Sequence, residues 1–295
     1  MSKFICTADW HLRSDRPRCR LDEDWFAFQE GIVEWIVETA NNYNCGIKII
    51  GDIFDTPNVP ANVIAMFLRQ ISKCKEGTQF IAGNHDLPYH SIDNLSNSAI
   101  GIVYEAAQHH SKIYHGMTCG LWLDFGEKEK GLERTGLVFT HRLVFENSKT
   151  IPPNVHAITA AELLEEYPNA KWIFTGDNHH AFHYEKKGRH VVNSGCITRQ
   201  ASDFIEYQPI IYYVDTDENI VEAIPIPDTG AMVTDAYIQE ANAREDRIGA
   251  FVEGVKKNGK ISLSFTDNIE AALLKNKSMG KETVKMIHEL MEEEV

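Results

Sequence analysis

Five short apolar runs in this chain each end in a polar loop bearing aspartate, asparagine or histidine, and that repetition constrains the fold more than any other feature. Phe4–Ala8 leads into Asp9-Trp-His11, and Ile47–Ile50 into Gly51-Asp52-Ile-Phe-Asp55. Gln79–Ala82 leads into Gly83-Asn84-His85-Asp86, Gly136–Thr140 into His141, and Trp172–Thr175 into Gly176-Asp177-Asn-His179. Short apolar runs bounded by turn residues read as buried strands. Between the first three lie two stretches of helical period. One is Asp22–Tyr43, with Trp25, Phe28, Ile32, Ile36 and Ala40 on its apolar face; the other is Val63–Ser72, with Ile64, Phe67, Leu68 and Ile71. Strand, helix, strand, helix, strand predicts parallel pairing and an α/β core. Parallel strands deliver their C-terminal loops to one edge of a sheet, where open α/β sheets carry their sites. A single Asp-x-His has little meaning; five donor loops at one edge predict a site.

Further strands are expected at Ile113–His115, Gly120–Phe125, Tyr184–Val192 and Ile210–Val214, with a helix at Ala160–Glu166. The segment from Pro225 to Gly230 marks a boundary, giving a domain over residues 1–228 and a second region over 229–295. That region reads as helical over Ala236–Val255, as a strand over Lys260–Phe265, and as helical again from Asn268 to Glu294.

The donor types select the chemistry. Six cysteines are scattered without a CxxC pair, which argues against a disulfide framework or a thiolate zinc site and for reduced thiols in a cytoplasmic protein. Aspartate, asparagine and histidine together suit manganese, iron or zinc. One carboxylate can bridge two such ions about 3.5–4 Å apart, an arrangement that attacks phosphate esters in line. The formal net charge of −14 counts against a module that grips nucleic acid by phosphate neutralisation alone. It counts less against an enzyme whose carboxylates face cations. No apolar run approaches the roughly 18 residues of a membrane span, and the N-terminus turns polar too early for a signal peptide.

The order Asp-x-His, Gly-Asp-x-x-Asp, Gly-Asn-His-Asp, His, Gly-x-x-His resembles the calcineurin-like metallophosphoesterases over about residues 4 to 215. The resemblance implies a four-layer α/β fold, a β-sandwich flanked by helices, with a small helical C-terminal appendage. It implies two divalent ions. Asp9, His11 and His179 match ligands of the first, Asp52 the bridging carboxylate, and Asn84 and His141 ligands of the second. His85 matches the catalytic histidine, with Asp86 placed to hold its ring. The sequence departs from the family pattern at Asp177, which stands where a histidine ligand of the last motif belongs. Aspartate is also a donor for divalent ions, so the second metal is expected to be retained.

Finer signals resemble one branch. Gly-Asp-Ile-Phe-Asp55-Thr-Pro, Phe-Ile-Ala-Gly-Asn-His-Asp86 and Val-Asn-Ser-Gly195-Cys-Ile-Thr-Arg-Gln look like the SbcD-type DNA repair and recombination nucleases, the short phage members above all. That resemblance implies manganese, a homodimer, DNA as substrate and an SbcC-type coiled-coil ATPase partner docking on the C-terminal helices. Phosphodiesterases of small cyclic nucleotides share the core motifs and are the competing reading. Arg13, Arg16, Arg18 and Arg20 follow the first donor loop; they read equally as a solvated loop or as contacts, led by Arg13, Arg16 and Arg18, to a DNA backbone.

Overall fold

The computed structural model describes residues 2–115, 121–125, 136–227, 233–236, 238–239, 265–275, 281, 283–285 and 287. The chain divides into two compact units, Met1–Asp235 and Ala236–Val295. The division falls past the expected 228 because the chain is still stitched to the first unit there: Val233 bridges Arg20, and the Thr234 N–H donates to the Cys19 carbonyl at 2.7 Å.

The first unit holds two main sheets. One has the order β13-β12-β1-β2-β3-β4, with β1 (Lys3–Thr7), β2 (Gly46–Ile50), β3 (Thr78–Ile81) and β4 (Ile113–His115) parallel. β12 (Ile210–Asp215) and β13 (Ile220–Pro225) close its edge antiparallel. The other has the order β10-β11-β9-β6-β5. In it β5 (Leu121–Leu123), β6 (Leu137–Thr140), β9 (Trp172–Thr175) and β11 (Arg189–Asn193) are parallel, and β10 (Phe182–Lys186) is antiparallel. A two-stranded sheet pairs β7 (Val144–Phe145) with β8 (Ile158–Thr159).

Strand alternation sorts the side chains into layers. Ile5, Ile47 and Ile49 pack under α1 (Trp25–Asn42), α2 (Ala61–Ile71) and α3 (Ala99–Gln108). Their alternates Phe4, Cys6 and Ile50 meet Phe139, Trp172, Phe174 and Val192 of the facing sheet. The far side of that sheet, with Ile173 and Val191, is covered by Leu163 and Leu164 of α4 (Ala160–Glu166). Helices, sheet, sheet, helix: these are the four expected layers.

Local signals start the helices. Asp24 caps α1 through the Ala27 N–H, and Thr159 with Glu162 forms a capping box at α4. α3 and β13 were not expected from the sequence. Ser98 caps α3, but its short apolar face, Ala99, Ile100 and Val103, is too weakly periodic to read. β13 is mostly exposed and lacks an apolar run.

In the second unit a helix, α5, spans Phe265–Lys275. Most of the expected strand at Lys260–Phe265 lies outside the described residues, and Phe265 itself opens α5. Among the described residues no helix is long and apolar enough to cross a membrane. The five described cysteines are buried free thiols.

Candidate metal centre

The loops after β1, β2, β3, β6 and β9 converge. The first two run side by side, with the Asp9 N–H donating to the Gly51 carbonyl at 3.1 Å and the His11 N–H to the Asp52 carbonyl at 3.0 Å. Holding the donors inward costs backbone strain. Asp9, His11, Asp52 and Asp177 sit at φ 51°, 45°, 51° and 73°, the left-handed region that non-glycine residues avoid. Two glycines permit the close approach: a Cβ at Gly51 would strike the His141 ring, and one at Gly83 the Asp52 carboxylate.

Asp52 occupies the middle. Its Oδ2 lies 3.6 Å from His11 Nε2 and 3.3 Å from His141 Nε2, while its Oδ1 accepts the His85 N–H at 2.9 Å. His141 Nδ1 donates to the Ile50 carbonyl at 2.7 Å, which turns Nε2 inward to 2.9 Å from Asn84 Oδ1. His11 and His179 bring their Nε2 atoms to 3.1 Å of each other. Ligand atoms of Asp9, His11 and His179, of Asp9, Asp52 and His141, and of His11, Asp52 and His85 each form a set within 4.8 Å.

The donor set fits divalent ions on two counts. Asp9 Oδ2 is buried without a hydrogen-bond partner, an arrangement that costs about 1–3 kcal/mol unless a cation answers it, and Asp52 Oδ2, which also makes no hydrogen bond, is faced by the His141 and His11 rings at 3.3 and 3.6 Å. The rings of His11 and His179 also bring their Nε2 atoms to one place, where imidazole nitrogens can serve as ligands. The titration pattern agrees. Burial, reinforced by the neighbouring Asp52 charge, pushes Asp9 up to about 8. Burial drives His11 down to about 3, against the pull of Asp52, so their contact is a neutral imidazole beside a carboxylate and not an ion pair. Burial likewise lowers His179. For Asp52 burial acts upward, but the surrounding histidines, His141 first and then His11 and His85, together hold the carboxyl well below its ordinary range. His141 is the mirror image: burial lowers it, and Asp52, Asp9 and Asp177 raise it past that to about 10.

Asp86 does not hold the His85 ring. Its Oδ1 accepts the Phe54 N–H at 2.8 Å, and its Oδ2 the N–H groups of Ile53 and Gly83 at 3.1 and 2.9 Å. Buried backbone donors where two loops meet require an acceptor, and Asp86 supplies it, tying the β2 loop to the β3 loop. The His85 ring is instead held by the Asp55 carbonyl, which accepts from Nδ1 at 2.9 Å.

Asp177 joins the cluster through its backbone, its N–H donating to Asp9 Oδ1 at 3.0 Å. Its carboxylate adds negative potential at Asp9 and His141, yet lies outside the three ligand sets.

The arginines separate. Arg20 is buried, paired through Nε and Nη2 to Asp22 and lying over Trp25 and Phe28, so it is part of the core. Arg13 pairs with Asp15 and Asp55 and lines a cleft of about 180 Å³ together with His11, His85, His179 and Phe204. Arg16 and Arg18 are exposed, Arg16 resting on the Asp22 carbonyl.

Two supporting residues went unassigned in the sequence. Asn193, fully buried, donates to the Asn178 and His180 carbonyls at 2.6 and 2.9 Å, clamping the loop that bears Asp177 and His179. Gln200 donates to the His11 carbonyl at 3.1 Å. Both lie in or next to the Val-Asn-Ser-Gly195 run, which carried the resemblance without suggesting a role for them.

The sequence profile of the calcineurin-like phosphoesterases matches residues 2–181. The chain belongs to that family. Metal-dependent phosphoester hydrolysis is therefore its chemistry, and the donor sets above are its candidate metal centre. No curated protein sequence matches it. Among solved structures it is similar to an archaeal phosphodiesterase, at 14% identity over 76% of this chain and 99% of that one, with a TM-score of 0.42. It is also similar to a dimetal phosphatase from Danio rerio, at 13% identity over 76% of this chain and 98% of that one, with a TM-score of 0.47.

Proposed function

We propose that this phosphoesterase is a two-metal DNA nuclease, the catalytic subunit of an SbcCD-like recombination and repair complex. The observation that carries the two-metal reading is Asp52, whose buried Oδ2 makes no hydrogen bond and stands between His11 and His141. Asp9, His11 and His179 would hold one ion, and Asn84 and His141, with Asp177 as a further donor, the other. Manganese suits this mixture of oxygen and imidazole donors. When bound, such ions neutralise phosphate charge and make water available as a nucleophile at neutral pH.

The chain's own residues do the rest. The Asp55 carbonyl accepts the Nδ1–H of His85 and orients the ring toward the cleft; with Nε2 protonated as well, the ring would give that second proton to the departing sugar oxygen and be left as the neutral imidazole. Arg13, oriented by Asp55 at 3.0 Å, is placed to hold a phosphate oxygen. Arg16 and Arg18 lie exposed farther along the same loop, where they would follow a DNA backbone without reading its sequence. Supporting DNA over small nucleotides is the run Val-Asn-Ser-Gly195-Cys-Ile-Thr-Arg-Gln, similar to SbcD-type nucleases. The acidic chain, at −14, fits a division of labour in which an SbcC-type ATPase, bound at the C-terminal unit of a homodimer, shares the grip on DNA.

The test is direct. Manganese-loaded protein is offered linear duplex and hairpin DNA, a cyclic nucleotide and a chromogenic phosphodiester. Cleavage of DNA and of the chromogenic substrate, with the cyclic nucleotide untouched, is expected. Turnover of the cyclic nucleotide with DNA intact would overturn the nuclease reading in favour of a small-nucleotide phosphodiesterase.

A further inference from the structure

Asp124 belongs to none of the donor motifs, yet it is buried at 5% exposure just beyond β5. Its Oδ1 accepts the Ala82 N–H at 2.6 Å and the Tyr104 hydroxyl of α3, and its Oδ2 accepts His115 Nε2 of β4 at 2.9 Å. The next residue completes the grip: the Phe125 N–H donates to the Ala82 carbonyl at 3.0 Å, and the Phe125 ring meets the His141 ring edge-on at 6.3 Å. Both backbone groups of Ala82 are thereby held from the second sheet. Ala82 immediately precedes Gly83-Asn84-His85, the loop that supplies a candidate ligand and the candidate acid. On its other side that loop is held by Asp86 at the Gly83 N–H and by Asp52 at the His85 N–H.

A buried carboxylate that is not a ligand, and whose contacts converge where a ligand loop leaves its strand, has a specific use. We propose that Asp124 is a positioning residue: through Ala82 it sets where Asn84 and His85 stand relative to Asp52 and His141. Tyr104 and His115 orient the carboxylate, so helix α3 and edge strand β4 of one sheet and the end of β5 in the other brace one backbone amide. The inference rests on the two-metal reading of the centre. Residues that brace metal ligands from behind carry about 10–100-fold in metal affinity or activity, and Asp124 acts on the Asn84 side of the pair.

The experiment measures Mn²⁺ binding by calorimetry on the full chain, and kcat and KM on a chromogenic phosphodiester. Asp124→Ala is expected to weaken the weaker Mn²⁺ site by about 10–100-fold and to lower kcat correspondingly, with KM little changed. Asp124→Asn keeps an oxygen for the Ala82 N–H and the Tyr104 hydroxyl and is expected to restore both readouts. His115→Ala removes one of the two groups that orient the carboxylate and is expected to lower both readouts in the same direction, by less than Asp124→Ala. Should the alanine variant fail to fold, Asp124→Glu keeps the charge while displacing the oxygen from Ala82, and the same losses are expected. Wild-type Mn²⁺ affinity and kcat in Asp124→Glu, or in a folded Asp124→Ala of lowered melting temperature, would overturn the proposal alone and leave a packing role. A wild-type protein that binds no Mn²⁺ would overturn the two-metal reading and this proposal with it.

Discussion

Replacing Asp9 by asparagine separates what the carboxylate does for the fold from what it does for a metal. Asp9 is 1% exposed, and its Oδ1 accepts the Asp177 N–H at 3.0 Å while its Oδ2 has no hydrogen-bond partner. The amide keeps the acceptor and alters only the orphaned atom. Since burial pushes the Asp9 carboxyl up to about 8, the metal-free protein at pH 7 already carries a neutral group there. Metal-free Asp9→Asn should therefore melt within about 0.5 kcal/mol of wild type, the range of substitutions that break no contact. Metal changes the comparison. At a hundredfold excess over Kd a ligand adds ~2.7 kcal/mol, which at ~2–4 °C per kcal/mol for a unit the size of Met1–Asp235 raises Tm by about 5–11 °C. Loss of a direct ligand costs at least the ~100-fold seen for outer-shell partners, bringing the variant's Kd up to the metal concentration and its gain down to ~0.4 kcal/mol. Differential scanning fluorimetry with and without Mn²⁺, with EDTA as the metal-free reference, reads both states. A full wild-type rise in Asp9→Asn would refute the assignment. A large metal-free loss would refute the argument that the orphaned oxygen is there for a cation.

Other substitutions test neighbouring parts. His85→Ala should cut kcat by about 10²–10⁴ while metal analysis stays at the wild-type level; loss of metal would make His85 a ligand, as its place near His11 and Asp52 allows. Gly83→Ala drives a Cβ into Asp52 and should cost ~1–3 kcal/mol in urea unfolding and depress metal uptake. Arg20→Ala leaves the buried Asp22 carboxylate without its guanidinium and should cost ~3–5 kcal/mol, with no change in the salt dependence of DNA binding for whatever protein remains folded. Arg16→Ala with Arg18→Ala should do the reverse, leaving stability intact and reducing the salt slope by ~2, since each phosphate contact releases about 0.9 counterion. An unchanged slope would remove the loop from the DNA path.

The donor loops were legible because strand ends and metal ligands both leave marks in residue type. Apolar runs located β1, β2, β3, β6 and β9, and of the residues after them Asp9, His11, Asp52, Asn84, His85, His141 and His179 bring their side chains together in the structure. What was not legible depended on which partner a side chain reaches. Asp86 beside His85 suggested a carboxylate steering a ring, but the nearest unmet demand was three backbone N–H groups, and nothing in the sequence announces unpaired amides. Asp55 stood inside a quoted motif, yet its contribution to His85 is a backbone carbonyl, which every residue possesses. Four arginines in one loop looked alike in sequence; a cage of Asp22, Trp25 and Phe28 buries one of them. Asp124 lies between strand residues far from any donor motif, and only β5 pairing beside β6 brings it behind Ala82.

The features of the centre that are unfavourable share one cause. Four of its residues are held at left-handed φ, two carboxylate oxygens are buried without a hydrogen bond, and neighbouring groups titrate in opposite directions. A proton does not relieve this arrangement: one on Asp9 leaves Asp52 charged. Positive charge placed between Asp9, Asp52 and the inward-facing nitrogens would satisfy all of these groups at once. Until then the geometry has to be imposed from outside, and the surrounding hydrogen bonds do so: Asp9 to Gly51, His11 to Asp52, Asp86 to three amides, Asn193 to two carbonyls, Asp124 to Ala82. A fold that spends buried polar residues on bracing its ligands before any ion arrives has a preorganised site. The substitutions that damage it most should therefore include residues that never touch a metal.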